Sequence, residues 1–143
     1  MLLGEYPLRV ESAGWLPLPG IIRTQLHECY APDDAALIVT TFFDWCLVCY
    51  PVVEWYTMPD RLRRMGATPQ EIRDFLRSSA RCSLDPEGRL YLPHLFCEHA
   101  AIARDALLIG VVIKLELWSP HRWERCGGYP KQPEPMAGLK NGT

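Results

Sequence analysis

Six cysteines and four histidines are the side chains of this sequence that could hold a metal ion. Cys46 and Cys49 form a Cys-x-x-Cys pair within an alternating apolar stretch. Side chains three positions apart on a strand point to opposite faces, so these two sulfurs cannot bind one ion. His94 and Cys97 could share a helix face with His99 nearby, yet no fourth ligand is evident. The sequence therefore predicts no metal site and no other cofactor.

Catalytic motifs are missing from the sequence. There is no Gly-x-Ser-x-Gly turn, no phosphate-binding Walker loop, no dinucleotide fingerprint and no His-Glu-x-x-His helix. The carboxylates are scattered among expected helix starts and turns, where capping and solvation account for them. We therefore predict that the protein is not an enzyme.

One short segment has residue types suited to anion recognition. Asp85-Pro86-Glu87-Gly88 carries the residues favoured in a type I turn, and Arg89 follows directly. Asp85 and Arg89 can pair across this turn, which leaves part of the guanidinium available for a phosphate or a guanine edge. In the alternative interpretation, the ion pair only stabilises the turn.

The segment around this turn occurs twice. Residues 10–19 align with residues 84–93 at an offset of 74, with four identical positions that begin at Gly14 and Gly88. Each copy is followed by a helical stretch, two apolar strands and a segment with Pro and Trp, in the same order. Duplication explains this repeated order, and the expected fold class is α+β.

Alternating hydrophobicity predicts the strands that position the turn. Leu90 and Leu92 are expected to face inward, with the residues between and beside them on the other face. The same alternation over residues 113–117 predicts a strand in which Lys114 and Glu116 face water.

The polypeptide between the copies is predicted to be helical. Residues 68–71, Thr-Pro-Gln-Glu, have the form of a capping box. An earlier helix is expected from about residue 52 towards residue 65, with Pro59 breaking or kinking it. Ser119 and Pro120 fit the N-cap and first residue of a short terminal helix.

Charge and hydropathy limit where the protein can act. The formal net charge is −2, so any DNA-binding surface must be a local basic patch. No run of 18 apolar residues and no signal-peptide pattern is present, which predicts a cytoplasmic protein with reduced cysteines and no membrane partner.

The second copy resembles the MraZ family. Residues 85–93 match the family motif Asp-x-x-x-Arg, usually Asp-x-Lys-Gly-Arg-[Ile/Leu]-x-[Ile/Leu]-Pro, and the resemblance extends over residues 1 to about 125. Further landmarks occur in the family's order, at residues 4–6, 44–51, 77–82 and 117–124. The resemblance implies a duplicated swapped-hairpin β-barrel of the AbrB type, with short helices and a pseudo-two-fold axis within the chain.

The resemblance also implies the domain organisation and the function. Residues 1–58 are expected to be the first repeat, 59–79 a connecting helical segment, 80–126 the second repeat, and 127–143 a disordered tail. Members of the family form homo-oligomeric rings and regulate transcription by binding repeated elements in double-stranded DNA. These elements lie upstream of the division and cell-wall gene cluster, which implies a nucleoid-associated protein.

Three arginines are the expected DNA contacts. Arg89 is the main expected contact. Arg9, at the mouth of the first hairpin, and Arg81, at the mouth of the second, are expected to be secondary contacts. In the alternative interpretation, Arg9 and Arg81 are ordinary solvated charges.

The first copy departs from the family motif. Glu11 and Trp15 occupy the positions of the family's Asp and Arg, and Ala13 replaces the Lys before Gly14. Trp15 carries no charge, so it can neither form an ion pair with a carboxylate nor offer a guanidinium to a phosphate or a guanine edge. A second hypothesis is therefore an oligomeric interaction protein that has lost specific DNA recognition. A basic face around the turns would favour DNA binding, and a hydrophobic or acidic face would favour the second hypothesis.

Overall fold

The computed structural model describes residues 1–30 and 36–127, so all of the predicted tail except Gly127 lies outside the described residues. Strands and helices follow one another in a mixed α+β order. They are β1 (Leu2–Arg9), β2 (Trp15–Pro17), α1 (Gly20–Cys29), β3 (Ala36–Thr40), β4 (Leu47–Pro51), α2 (Val52–Arg64), α3 (Pro69–Arg77), β5 (Ser79–Ser83), β6 (Arg89–Tyr91), α4 (His94–Ala100), β7 (Asp105–Val112), β8 (Lys114–Trp118) and α5 (Pro120–Arg125).

Six antiparallel strands form one sheet in the order β1-β7-β8-β4-β3-β5, and β2 pairs with β6 in a separate two-stranded sheet. Within the described residues, the edge strands β1 and β5 do not pair with each other. The α+β class is confirmed, whereas the predicted closed barrel is wrong, because closure requires the two edge strands to be hydrogen-bonded. None of the helices in the described ranges is long and apolar enough to cross a bilayer.

The central strands β4 and β8 of the six-stranded sheet are buried on both faces. One face packs with β2, β6, α1 and α4 around a first core that includes Leu16 and Leu90. The other face packs under α2 and α3 around a second core that includes Phe75. Cys49 lies in the first core and Cys46 in the second, so the predicted separation of these thiols is confirmed, although Cys46 precedes β4 and is not part of the strand.

Lys114 and Glu116 do not face water as the alternation predicted. Glu116 is 0% exposed and Lys114 is 6% exposed, because helices also cover the second face of β8. Trp118 Nε1 donates a hydrogen bond to Glu116 Oε1 at 3.0 Å, and Lys114 Nζ lies 5.5 Å from the centre of the Phe43 ring. Alternation identified the two faces of the strand, but it contained no information about what covers each face.

Helix α2 continues through Pro59, so the predicted break of the helix at this residue does not occur. Proline removes one backbone donor from the helix. Met58 and Leu62 are buried in the second core on either side of it, so packing holds the helix together. The terminal helix begins as predicted, with Ser119 Oγ accepting a hydrogen bond from Arg122 N at 3.3 Å.

The predicted capping box at the start of α3 is confirmed. Glu71 N donates to Thr68 Oγ1 at 3.1 Å, and Thr68 N donates to Glu71 Oε1 at 2.9 Å. We expect Thr68→Ala to lower the free energy of unfolding by about 1 kcal/mol, because one helix N–H loses its acceptor. Urea denaturation measures this loss. Thr68→Ser is the control and should retain most of the stability, and an equal loss in both variants would contradict a capping role.

Candidate nucleic-acid interface

The second turn, residues 85–88, is held by the side chain of Asp85. Gly88 N donates to Asp85 O at 3.0 Å, which closes the predicted turn. Asp85 Oδ1 also accepts hydrogen bonds from Glu87 N at 3.0 Å and from Arg89 N at 2.7 Å. Gly88 has a φ of +78°, a conformation that glycine adopts without steric cost. The turn therefore places Arg89 at the start of β6 in a fixed orientation.

The guanidinium of Arg89 lies among carboxylates from both copies. Its Nε lies 2.6 Å from Asp85 Oδ2 and 3.7 Å from Glu87 Oε2, and its Nη1 lies 3.3 Å from Glu11 Oε1. Its Cζ lies 5.4 Å from the centre of the Trp15 ring, within the range of a cation–π contact. The side chain remains 37% exposed, so the group is paired but still accessible to a ligand.

Electrostatics keep the Asp85–Arg89 pair charged. Partial desolvation acts to raise the pKa of Asp85, but the hydrogen bonds from Arg89 N and the Arg89 guanidinium outweigh it, and the pKa is lowered. The hydrogen bond to Asp85 raises the pKa of Arg89, although partial desolvation opposes it. Both groups are therefore ionised at neutral pH, as a charge-assisted pair requires.

The first turn keeps the backbone geometry of the second but lacks the side-chain clamp. Glu11 N donates to Trp15 O at 2.7 Å and Gly14 N donates to Glu11 O at 3.3 Å, within a short 3-10 turn at Ser12–Gly14. Gly14 has a φ of +86° and Ala13 a φ of +64°. The Glu11 side chain does not cap this turn. Its carboxylate instead reaches Arg89 of the other copy.

Antiparallel pairing of β2 with β6 brings the two turns together. Leu16 lies directly opposite Leu90, its counterpart at the offset of 74, and both are buried. Leu18 N donates to Gly88 O at 3.1 Å, and Leu92 N donates to Gly14 O at 2.8 Å. The two hydrogen bonds are equivalent, because Leu92 and Gly88 are the counterparts of Leu18 and Gly14 at the offset of 74.

An aromatic pair lies on the outer face of the β2–β6 pairing. Trp15 lies opposite Tyr91, with 5.4 Å between the ring centres. Tyr91 is 40% exposed. Because Arg89 contacts Trp15, the aromatic pair adjoins the charged group directly.

The structure unites only part of the predicted site. Arg89, Asp85, Gly88, Glu11, Gly14 and Trp15 lie together around the two turns. Arg9 ends β1, and its Nε lies 3.6 Å from Asp105 Oδ1. Arg81 lies in β5 opposite Ile38, at the other edge of the sheet. Arg9 and Arg81 are therefore on opposite edge strands and share no patch with each other.

Arg23 of α1 also belongs to this site, although no sequence motif indicates it. Its Nη1 donates to Glu87 O at 3.1 Å, and its Cδ would lie 2.0 Å from a Cβ added at Gly88. Glycine at this position therefore allows Arg23 to pack against the second turn. No local pattern could reveal the contact, because the partners are 64 residues apart.

Charge around the turns is mixed in sign. The carboxylates are Glu11, Asp85 and Glu87, and the guanidinium groups are Arg23 and Arg89. The face is therefore not continuously basic. An incoming phosphate would meet Arg89, which is ion-paired, and Arg23, both bordered by acidic and aromatic side chains.

The residues weighed as metal ligands point to different partners. His94 Nε2 lies 2.8 Å from Glu98 Oε1, His99 Nε2 lies 2.5 Å from Phe43 O, and Cys97 is buried in the first core. In the part of the chain that the structure describes, no three His, Cys, Asp or Glu side chains are placed to hold an ion.

The protein is an α+β protein built on an open antiparallel sheet. The β2–β6 pairing joins its two glycine turns, residues 11–14 and 85–88, into one surface that carries Arg89, and we call this surface the paired-turn face. The family model described as "MraZ protein, putative antitoxin-like" matches residues 75–131. The chain belongs to the MraZ family, because it is more than 30% identical to several members over most of its length.

Three relatives illustrate the similarity, each named transcriptional regulator MraZ. The protein of Caldicellulosiruptor bescii is 34% identical over 127 residues, covering 86% of this chain and 84% of the relative. That of Limosilactobacillus reuteri is 33% identical over 129 residues, covering 87% and 86%. That of Desulfitobacterium hafniense is 34% identical over 138 residues, covering 94% and 90%.

Proposed function

We propose that this protein is a DNA-binding transcriptional regulator of the MraZ type, a cytoplasmic, nucleoid-associated protein with no enzymatic activity. Its proposed target is a set of repeated elements in double-stranded DNA upstream of the division and cell-wall gene cluster. The names of the relatives support the regulator class. The observation that carries the proposal is the clamped Arg89 at an exposed turn.

Preorganisation explains how Arg89 would act on DNA. Asp85 fixes Nε and the backbone N–H of Arg89, so little side-chain freedom remains to be lost on binding. Among the described residues, no acceptor contacts Nη2 of Arg89. This nitrogen can donate to a phosphate or to a guanine edge while Asp85 remains bound.

Assembly would compensate for the small number of basic contacts in each chain. We propose a duplicated swapped-hairpin unit, with repeats at 1–58 and 80–126 joined by 59–79, that assembles into a homo-oligomeric ring. Hydrogen bonds that recur at the offset of 74 support the duplicated unit. A ring repeats each arginine once per subunit, so weak contacts add through effective concentration. Gel filtration with light scattering measures the assembled mass.

Arg89→Ala tests the proposed DNA contact. We expect about a 10- to 100-fold loss of affinity for repeat-containing duplex DNA, with a shallower salt dependence, because one preorganised donor is removed. Anisotropy of a labelled duplex across a salt titration measures both quantities.

Arg63→Ala is the matched control for this experiment. Arg63 lies on α2, which packs against the second core, and it pairs there with Asp60. Its loss should leave affinity within about two-fold of the parent protein. Arg9→Ala and Arg81→Ala should weaken binding less than Arg89→Ala and uniformly across DNA sequences. Unchanged binding in Arg89→Ala would contradict the role of this residue.

A second candidate function is an oligomeric interaction protein that has lost specific DNA recognition. Trp15 at the position of the family's arginine, the neighbouring Tyr91 ring and the three carboxylates favour it. Exposed aromatic side chains are enriched at protein interfaces. Absence of DNA binding at low salt by the parent protein would favour this candidate over the first.

A further inference from the structure

We infer that Glu11 restrains Arg89 and thereby limits the affinity of the second turn for DNA. This inference rests on the proposed function, because it assigns a regulatory contact within the same site. Glu11 Oε1 lies 3.3 Å from Arg89 Nη1, and the two residues are 78 positions apart in the chain. The degenerate first copy thus acts on the intact arginine of the second copy.

Glu11 is available for this contact because its own turn does not use its carboxylate. In the second turn, Asp85 Oδ1 accepts two backbone hydrogen bonds, from Glu87 N and Arg89 N. The first turn is closed by backbone groups, and the Glu11 side chain makes no capping bond there. Glutamate is also one methylene longer than aspartate, which suits a contact across the β2–β6 pairing.

The restraint acts directly beside Nη2, the nitrogen of Arg89 that is proposed to bind DNA. Asp85 binds Nε, Glu11 binds Nη1, and the Trp15 ring lies against the guanidinium. A phosphate that bridges Nη1 and Nη2 must displace the Glu11 carboxylate, and one bound to Nη2 alone would lie beside it. Both arrangements oppose binding, the first by breaking an ion pair and the second by like-charge repulsion.

Glu87 provides a matched comparison on the same face. Its Oε2 lies 3.7 Å from Arg89 Nε, and its side chain is 77% exposed, compared with 48% for Glu11. Asp85 already lies 1.1 Å closer to that nitrogen, at 2.6 Å against 3.7 Å. Glu87→Gln therefore removes the same charge as Glu11→Gln, but it leaves the close contacts of Arg89 intact.

A double-mutant cycle tests the inference. We expect Glu11→Gln to raise affinity for repeat-containing duplex DNA about 3- to 10-fold at low salt, and Glu87→Gln to raise it less than about 2-fold. In the Arg89→Ala background, the gain from Glu11→Gln should disappear, because its effect passes through Arg89. An equal gain in both backgrounds would overturn the inference and indicate only a general charge effect.

A measurement without DNA separates this inference from the proposed function. NMR of the Arg89 guanidinium should show slow rotation of the Nη groups in the parent protein and in Glu87→Gln, and faster rotation in Glu11→Gln. Unchanged rotation in Glu11→Gln would overturn the restraint whatever the DNA result. A third outcome is that no variant binds DNA, although rotation becomes faster in Glu11→Gln. The proposed function would then be wrong, and so would the claim that Glu11 limits DNA affinity. The restraint of the Arg89 guanidinium by Glu11 would still be supported.

Discussion

Trp118→Ala is expected to lower the free energy of unfolding by about 3–5 kcal/mol, as removal of a large buried aromatic side chain does. Trp118 is fully buried at the end of β8, and its ring meets Trp123 edge-on at 5.2 Å. It also supplies the hydrogen bond to Glu116 Oε1, an oxygen that would be left in the core without this donor. Denaturant unfolding at neutral pH measures the loss.

Trp118→Phe separates packing from hydrogen bonding. Phenylalanine keeps much of the buried ring but removes the Nε1–H donor, so we expect a smaller loss of about 1–3 kcal/mol. If both variants lose the same stability, an aromatic ring at position 118 contributes no packing energy, which would contradict the expected order. If Trp118→Phe loses nothing, the hydrogen bond to Glu116 does not stabilise the fold.

The cost of Trp118→Phe is expected to depend on pH. Burial raises the pKa of Glu116, while the hydrogen bond from Trp118 and the charge of Lys114 oppose the rise. A carboxyl whose pKa is higher in the folded state contributes stability below its unfolded pKa, and this is lost as pH rises through the folded pKa. Without the Trp118 donor the pKa rises further, so the variant should lose more stability at pH 7 than at pH 4. The opposite trend would contradict a bond to the ionised form.

Gly14→Ala is expected to lower the free energy of unfolding by about 2–4 kcal/mol through backbone strain and loss of a hydrogen bond. Gly14 has a φ of +86°, and an added Cβ would lie 2.4 Å from Leu92 O, which belongs to the backbone. Relief of this clash requires movement of the backbone after β6, where Leu92 N donates to Gly14 O. Thermal unfolding followed by circular dichroism measures the loss.

Gly66→Ala is the control for the backbone conformation alone. Gly66 has a φ of +93°, and nothing lies within 4 Å of an added Cβ. This variant should lose only about 1–2 kcal/mol, the cost of left-handed backbone for a residue with a Cβ. Equal losses in Gly14→Ala and Gly66→Ala would contradict the proposed clash with Leu92.

Gly14→Ala also probes the coupling of the two turns. The β2–β6 pairing holds Trp15 against Arg89, so its disruption should change the fluorescence of Trp15. Comparison with Trp15→Phe in the same background assigns the signal to this indole. No change on a folded Gly14→Ala protein would show that the pairing does not position the site.

The sequence by itself determined the features that depend on neighbours within a few residues. The capping box at Thr68, the turn at Asp85 and the alternating faces of Leu90 and Tyr91 on β6 were predicted correctly. Each follows from hydrogen bonds between near neighbours or from the two-residue period of a strand. The Asp85–Arg89 pair was predictable for the same reason, because one turn brings the partners together.

Tertiary structure alone decided which surfaces are covered and which distant groups meet. The alternating hydrophobicity placed Lys114 and Glu116 on one face of β8. Only the packing of the helices determines whether that face is exposed to solvent. Pairing of the edge strands, and therefore barrel closure, depends on partners far apart in the chain.

The same distinction applies to the paired-turn face. Arg89 could be identified from its own turn, whereas its contact with Glu11 and the packing of Arg23 against Gly88 join residues more than 60 positions apart. Local sterics and hydrogen bonding fix how a short segment folds, and therefore the sequence reveals the arginine. The charge that surrounds the arginine depends on strand pairing and helix docking, and therefore only the folded chain reveals it.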